Sequence, residues 1–384
     1  MNSQTQPILL VGLTMRMLAE LAVRAGYPVL ALDYFGDADL QALCPSRSLL
    51  RDYNLPYSAA GLVNAAGDLA APAVVYSANL ENYPVEVARL SQGRRLLGNG
   101  PETLTQVRDP VRLAAALYAG GFVFPETLWP GSGQAPDKTR SWLWKPFHSG
   151  GGHGIHLWRE GRPPEDGILQ ERLAGMVGSA AFVANGREAV LLGLTEQLVG
   201  QPAFGASGFH YCGNLAPPRL PPDELMALLA EAHAIVSHLT QAFGLWGVNG
   251  LDFIWQTGRV WTLEVNPRPS ASLELFDLAY GLCVFEAHVQ SFSGHLPHFG
   301  LEQALTNGPA AGKAIVYAPH DVTVGNTRDW AAEGIRDIPH PYEQIHRRQP
   351  VCTLLTTAAT PAACLHQLLA QAAALKTRLK PARL

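Results

Sequence analysis

Short apolar runs of strand length alternate with longer amphipathic stretches from the start of the chain. Pro7-Ile-Leu-Leu-Val-Gly12 is a continuous apolar run, and behind it Thr14 stands where a helix reaching Arg24 would be capped, with Gly26 to end it. Pro28-Val-Leu-Ala-Leu-Asp33 repeats the strand pattern and closes on an acid. Ala73-Val-Val-Tyr-Ser77 is a further strand, followed by a loop containing Asn79, Glu81 and Asn82. The β-α-β order predicts a right-handed crossover and a parallel sheet, so residues 1–97 read as a Rossmann-like α/β domain. Only Gly12 occupies the first strand-helix turn. The G-x-G-x-x-G fingerprint is absent, which argues against a nicotinamide cofactor.

A second unit, 98–300, opens at Gly98-Asn-Gly-Pro101. Helical spacing runs from Pro101 to Ala119 and breaks at Asp109-Pro110, where proline is tolerated only in a first turn, so two helices meet there. After a polar loop over 130–139 comes Trp142-Leu-Trp-Lys145-Pro146, an apolar strand holding one lysine, and then Ser149-Gly-Gly-Gly-His-Gly154. Residues 180–192 and 195–199 read as a strand pair turning at Asn185-Gly186. Pro222 to Phe243 is an amphipathic helix whose Leu225, Leu228, Leu229, Ala232, Ile235, Val236 and Leu239 form a core stripe. Residues 250–255 and 260–265 are paired strands joined through Gln256-Thr-Gly-Arg259. A third unit, 308–384, has strands at Lys313–Tyr317 and Val351–Thr356 and a terminal helix from Pro361 to Leu379. It reads as a small α+β domain.

Composition narrows the class. A chain of 384 residues exceeds a typical single core, and two or three domains are expected. A net charge of -4 disfavours nucleic acid and anionic membrane, leaving small molecules as partners. The five cysteines are scattered with no C-x-x-C pair, so neither a disulfide framework nor a zinc site is indicated. Met1 to Leu13 lacks the basic start of a signal peptide and no apolar run reaches membrane-spanning length, which points to the cytoplasm.

The chemistry concentrates in the 250–270 hairpin. Asp252, Glu264 and Asn266 offer two carboxylates and an amide oxygen, the hard donors that suit Mg²⁺ (or Mn²⁺) carrying phosphates, and Arg268 adds a fixed cation beside them. The competing reading is a hairpin with acids on its solvated face. If Asp252 and Glu264 share one sheet face, however, they repel unless a cation lies between them. Lys145 in an apolar strand needs an anion, and the glycines after Ser149 let backbone N–H groups converge on phosphate oxygens. His153 and His156 lack a third nitrogen or sulfur ligand at matching spacing, so a metal site there is disfavoured.

This order of parts resembles the ATP-grasp superfamily: an α/β domain, a strand lysine with a glycine loop, a hinge glutamate, and D…E-x-N ending in Leu263-Glu-Val-Asn-Pro-Arg-Pro269. The resemblance runs from the amino-terminal domain to about Asp277. It implies a two-part α+β domain with the nucleotide between two sheets, and joining of a carboxylate to an amine through an acyl phosphate at the expense of ATP. On that resemblance Lys145 contacts the α- and β-phosphates. Ser149, Gly150, Gly151, Gly152 and Gly154 close over the β- and γ-phosphates. Gln170, Glu171, Arg172 and Leu173 form the adenine hinge; Asp252, Glu264 and Asn266 hold Mg²⁺. Arg268 is then the catalytic group, binding the carboxylate or the tetrahedral oxyanion. Ser270, Ser272, Glu81 and Tyr211 are substrate candidates, the two serines alternatively capping the helix that follows.

Two positions depart from the family pattern. Where relatives carry an aspartate followed by a lysine that reaches ATP, this chain has Asp109-Pro110, with Arg108 or Arg112 as substitutes; where relatives carry a ribose glutamate, it has Val177-Gly178-Ser179. A looser likeness to tyramine-glutamate ligase-type proteins of one-carbon cofactor synthesis implies an amino acid such as glutamate as the acid and a primary amine as acceptor. It leaves room for a homodimer. Two other readings compete: a bicarbonate-dependent carboxylase of the same superfamily, and a nucleotide-binding scaffold without catalysis.

Overall fold

The computed structural model describes residues 6–160 and 165–382, so the first five residues of the segment read for a signal sequence lie outside it. The amino-terminal part runs β1 (Ile8–Val11), α1 (Arg16–Arg24), β2 (Val29–Asp33), α2 (Ala38–Leu43), β3 (Ser46–Ser48), α3 (Ala59–Ala66), β4 (Ala73–Tyr76), α4 (Pro84–Leu90) and β5 (Arg95–Leu96). These five strands form one parallel sheet in the order β3-β2-β1-β4-β5. β1 and β4 are buried along their whole or nearly whole length, as strands covered on both faces must be. The chain leaves β1 toward β2 on one side and β4 on the other, which makes the carboxyl ends of β1 and β4 a switch point where ligands bind in such sheets. Glu81 sits in the 3-10 turn Leu80–Asn82 just past that end of β4.

Thr14 does not cap α1. Met15 holds the N-cap position without a side-chain bond, and its amide donates instead to the buried Asp33 carboxylate at 3.2 Å. The acid at the end of β2 thus supplies the negative group that a helix start favours.

α5 (Pro101–Val107) and α6 (Pro110–Ala119) meet at Asp109, whose carboxylate accepts from the Val111 and Arg112 amides. A four-stranded antiparallel sheet follows, β6 (Thr127–Leu128), β7 (Trp142–Pro146), β8 (His156–Trp158) and β9 (Gly167–Glu171), in the order β6-β9-β7-β8. Next come β10 (Met176–Asn185), β11 (Ala189–Val199), β12 (Tyr211–Ala216), α7 (Pro222–Phe243), β13 (Trp246–Gln256), β14 (Arg259–Asn266), α8 (Leu273–Tyr280), α9 (Val284–Ser291) and α10 (Leu301–Asn307). The remainder is β15 (Ala310–Tyr317), β16 (Val322–Thr323), β17 (Ile335–Arg336), β18 (Gln344–Ile345), β19 (Pro350–Ala358), α11 (Pro361–Arg378) and β20 (Lys380–Pro381). The carboxyl-terminal strands do not stand apart: β12 pairs with β15, giving one eight-stranded sheet, β14-β13-β10-β11-β12-β15-β19-β17.

Alternation along β10 sorts the two faces of this sheet. Ala180, Phe182 and Ala184 share a core with Leu228, Ile235 and Leu239 of α7. Ala181 and Val183 point the other way, into a core with Phe276 of α8, Phe285 of α9 and Leu18 of α1. Ser179 falls on this second face by the same alternation, and its partner across the β10–β13 ladder is Asp252. Among the described residues no helix is long and apolar enough to cross a membrane.

Candidate active site

The β13–β14 hairpin turns at Thr257-Gly258, both at positive φ (50° and 73°), which matches the right-handed twist of the strands. From the turn the register runs Gln256 to Arg259, Trp255 to Val260, Ile254 to Trp261 and Phe253 to Thr262. Continued unchanged, it would set Asp252 against Leu263 and send Glu264 to the far face. A bulge between Asp252 and Phe253 absorbs Leu263, so Asp252 faces Glu264 directly and Gly250 faces Asn266. One extra residue therefore brings the three oxygen donors onto one face.

Asp252 Oδ2 accepts from Asn266 Nδ2 and Oδ1 from Gln197 Nε2, each at 2.9 Å. Burial, and then the neighbouring Glu264 charge, push the Asp252 carboxyl up to about 7. For Glu264 burial acts in the same direction but is outweighed by Arg108 and Lys145, which hold it below the usual carboxylate range. The two carboxylates thus stand face to face in opposite electrostatic states, Asp252 raised by burial and by its neighbour's charge and Glu264 held ionised by the cations around it.

Three cations reach this face from separate elements. Arg108, at the end of α5, donates to Glu264 Oε2 at 3.0 Å, to Val265 O at 3.2 Å and to Asn82 Oδ1 at 3.1 Å. Arg112 pairs with Asp109, at 3.6 Å, on the exposed side of α6, so Arg108 and not Arg112 faces Asp252 and Glu264. Lys145, half-buried on β7, donates to Gln170 Oε1 at 3.0 Å. Burial lowers its pKa, opposed by the Glu264 and Asp252 charges. Arg268 gives its Nε to Glu81 Oε1 at 2.9 Å, its Nη1 to Pro269 O at 3.1 Å and its Nη2 to Asn266 Oδ1 at 3.4 Å. Its fork is thus engaged by the protein on all three nitrogens.

The switch-point end of β4 holds the backbone on either side of Arg268. Tyr76 Oη donates to Asn99 O at 2.8 Å and Pro267 O at 3.3 Å, Ser77 Oγ to Pro269 O at 3.1 Å, and Asn99 Nδ2 to Pro267 O at 3.0 Å.

The glycine loop lies against the segment leading into β12. Gly151 O accepts from the Tyr211 amide at 3.0 Å, and His153 and His210 meet through their Nε2 atoms at 3.0 Å. Gly152 has φ 78°, and a Cβ there would stand 1.8 Å from Phe209 O, so no other residue fits this seat. At the hinge Gln170 is buried, and its Nε2 donates to Thr127 Oγ1 at 3.2 Å. The Glu171 amide is given to Glu126 O at 2.8 Å and the Arg172 amide to Ser141 O at 2.7 Å. Leu173 lies just beyond the end of β9.

Tyr211 belongs to a polar row that leads to Asp252. Its hydroxyl bonds Asn214 Oδ1, Asn214 Nδ2 donates to Thr195 Oγ1 at 2.8 Å, and Thr195 meets Ser179 at 2.7 Å beside Asp252. Ser270 and Ser272 face each other, Oγ to Oγ, at 3.3 Å. Ser272 is buried and occupies the N-cap of α8 without bonding an amide through its side chain, so the capping role does not describe it.

The family profile for the ATP-grasp domain matches residues 107–272, the stretch from Val107 to Ser272 that contains Arg108, the glycine loop, the hinge and the carboxylate hairpin. This chain contains an ATP-grasp domain. An uncharacterised protein of Methanocaldococcus jannaschii is 20% identical over 290 residues, covering 71% of this chain and 67% of that protein. The L-amino acid ligase from Bacillus licheniformis has a similar fold, with a TM-score of 0.65, 14% identity and coverage of 99% of this chain and 100% of that one. Rhizobium etli pyruvate carboxylase gives a TM-score of 0.70 at 15% identity over 95% of this chain, which spans only 36% of the carboxylase.

Behind the ATP-grasp carboxylates lies an ionic cluster that the residue pattern did not single out. Glu274 of α8 accepts from Lys313 Nζ at 2.6 Å and from Arg16 at 2.6 and 3.3 Å, and Arg16 continues to Asp337 at 2.9 and 3.2 Å. Lys313 Nζ also donates to Ala271 O at 3.0 Å, just after the Arg268 segment. The cluster ties α1, α8, β15 and the loop after β17 into one buried unit. Gln197, on β11, was likewise missed, because nothing in its local sequence marks it as a partner of Asp252.

Proposed function

We propose that the chain is an ATP-dependent ligase that joins a carboxylate, an amino acid such as glutamate, to an amine, giving ADP and phosphate. The observation that carries this reading is the Asp252–Glu264 pair on one face, flanked by Asn266, Arg108 and Lys145. Two hard carboxylates and an amide oxygen on one face are a donor set that fits Mg²⁺. When bound, Mg²⁺ would neutralise charge on the nucleotide phosphates.

In this reading Lys145 and the amides of Ser149 to Gly154 hold the phosphates, with Arg108 standing where relatives use a lysine. The hinge from Gln170 to Leu173 takes the base. A substrate carboxylate oxygen attacks the γ-phosphorus, ADP leaves, and the resulting acyl phosphate is attacked at its carbonyl carbon by the amine, releasing phosphate. Arg268 is positioned beside the reacting carboxyl, oriented by Glu81 and Asn266, and a closed glycine loop keeps water from the acyl phosphate. A role in cofactor biosynthesis accords with such a product.

The test is a matrix of amino acids against amines with Mg²⁺ and ATP, reading ADP, phosphate and product mass. Release of ADP that needs both an acid and an amine supports the ligase. Bicarbonate-dependent release would replace it with carboxylase chemistry, and nucleotide binding without turnover would replace it with a scaffold. Glu264→Gln should abolish turnover while leaving the melting transition in place.

A further inference from the structure

Gln197, half-buried on β11, is bound to a carboxylate on a strand it does not adjoin. Alternation puts it on the same face as Thr195, which meets Ser179, and Ser179 is the cross-strand partner of Asp252. The sheet order sets β10 between β11 and β13, so the two strands run about 10 Å apart. The gap closes because both side chains lean over β10, and Gln197 Nε2 donates to Asp252 Oδ1 at 2.9 Å. An asparagine at 197 would be one methylene too short for that span.

This bond is the outer end of a row. Asp252 Oδ2 accepts from Asn266 Nδ2 at 2.9 Å, which turns the Asn266 nitrogen toward Asp252 and leaves its oxygen on the side of Arg268, whose Nη2 lies 3.4 Å from it. Gln197, Asp252 and Asn266, from β11, β13 and β14, therefore stand as amide, carboxylate and amide, each orienting the next. Each Asp252 oxygen receives one N–H and keeps lone pairs for a further partner. Donors to a divalent cation depend on such outer hydrogen bonds, because a rotated carboxylate or a flipped amide presents the wrong atom.

We propose that Gln197 is a positioning residue for the cation site: it fixes the Asp252 carboxylate, and through it the Asn266 amide, in the orientation that offers their oxygens to a divalent cation carrying the nucleotide phosphates. The proposal rests on the reading of Asp252, Glu264 and Asn266 as metal donors given above. Gln197 acts through Asp252 and not on the nucleotide itself, so its loss should be felt only where metal is present.

The experiment measures binding of a non-hydrolysable ATP analogue to the full chain by calorimetry, once with Mn²⁺ and once with EDTA, and takes the gain in affinity that the metal brings. Gln197→Met, of similar length but without a donor, should cut that gain about tenfold or more, and Gln197→Asn, whose donor falls short, should do the same. The affinity with EDTA should be that of the wild type in both, which also reports that the fold is intact. Glu196→Gln loosens the neighbouring pair with Arg219 on the same strand and should keep the full gain. A full gain in Gln197→Met or Gln197→Asn, an equal loss with and without metal, or an equal loss of gain in Glu196→Gln would each overturn the assignment. A wild type that binds the analogue equally well with Mn²⁺ and with EDTA sinks the metal-donor reading itself, before any variant is compared. The ligase reading is tested separately in the wild type by trapping acyl phosphates from a panel of carboxylic acids with hydroxylamine. Absence of hydroxamate from a protein that shows the metal gain sinks that reading and leaves the role of Gln197 standing.

Discussion

Replacing Glu274 by Gln should cost the fold about 3 kcal/mol or more, because it keeps the shape of the side chain while stripping the charge from a buried ionic cluster. The side chains of Glu274, Arg16 and Lys313 are 6%, 1% and 5% exposed, so solvent cannot take over the lost role. The two cations do not suffer equally. Arg16 keeps Asp337 at 2.9 Å and Glu20 at 3.1 Å, whereas Lys313 is left with the Ala271 carbonyl at 3.0 Å. The cost should therefore concentrate on Lys313, and the double variant Glu274→Gln/Lys313→Met should recover about 1–3 kcal/mol relative to the sum of the single losses. Urea unfolding followed by tryptophan fluorescence gives these differences. Burial opposes the Glu274 charge, but Arg16 and Lys313 outweigh it and hold its pKa below the usual value. A carboxylate depressed in the folded state stabilises above its unfolded pKa, about 4.3, and loses that contribution as pH falls through the lower folded value. The gap between wild type and Glu274→Gln should then be constant above about pH 5 and narrow below about pH 4. A loss under about 1 kcal/mol, or strict additivity in the double variant, would refute the reasoning.

Other outcomes follow from the same geometry. Arg108→Met removes the cation that touches Glu264 and should lower turnover about 10- to 100-fold, with Arg108→Lys intermediate, measured by phosphate release; wild-type rates in Arg108→Met would remove it from the site. Gly152→Ala sets a Cβ against Phe209 O and should displace the glycine loop, raising the KM for ATP and speeding proteolysis within 149–154, with little change in the unfolding midpoint. Asp33 is pushed up to about 7 by burial, despite hydrogen bonds from the Gly36 and Met15 amides. A carboxyl raised in the folded state binds more protons there, so stability should fall as pH rises from about 4 to about 7, by up to roughly 4 kcal/mol, and Asp33→Asn should flatten that slope in denaturation midpoints measured across the range.

The elements were legible wherever a period or a punctuating residue acts locally. Pro222 and Phe243 bound α7 where the apolar stripe begins and ends, Asp109-Pro110 divides two helices, and Asn185 ends β10 with Gly186 opening the turn to β11. The hairpin carrying Asp252 and Glu264 was legible as strands but not in register. Counting back from Gln256-Arg259 puts the two carboxylates on opposite faces, and only the Leu263 bulge brings them together. That correction accompanies the packing of Leu251 and Val265 into the α7 core, a tertiary demand that no nearest-neighbour pattern contains. The same distinction explains Thr14, a good capping residue displaced by a carboxylate from β2, and Arg16, which on a helix of mixed pattern looks solvent-facing yet is 1% exposed because acids from its own helix and from two distant segments converge on it. The link between Glu81 and Arg268 spans 187 positions and is set by how the two sheets meet.

The pairing of β12 with β15 has a practical corollary for anyone dividing this protein. A fragment ending before Ala310 would expose the backbone of β12 as a naked edge, strip Lys313 from Glu274, and cut the bond from Tyr317 Oη to the Tyr211 carbonyl, 2.9 Å, which braces the strand under the glycine loop. Such a piece would be prone to clump through that edge. The carboxyl-terminal strands are thus better regarded as the far half of the sheet that carries Asp252 and Glu264 than as an appendage, and any shortened version meant to bind nucleotide should carry them.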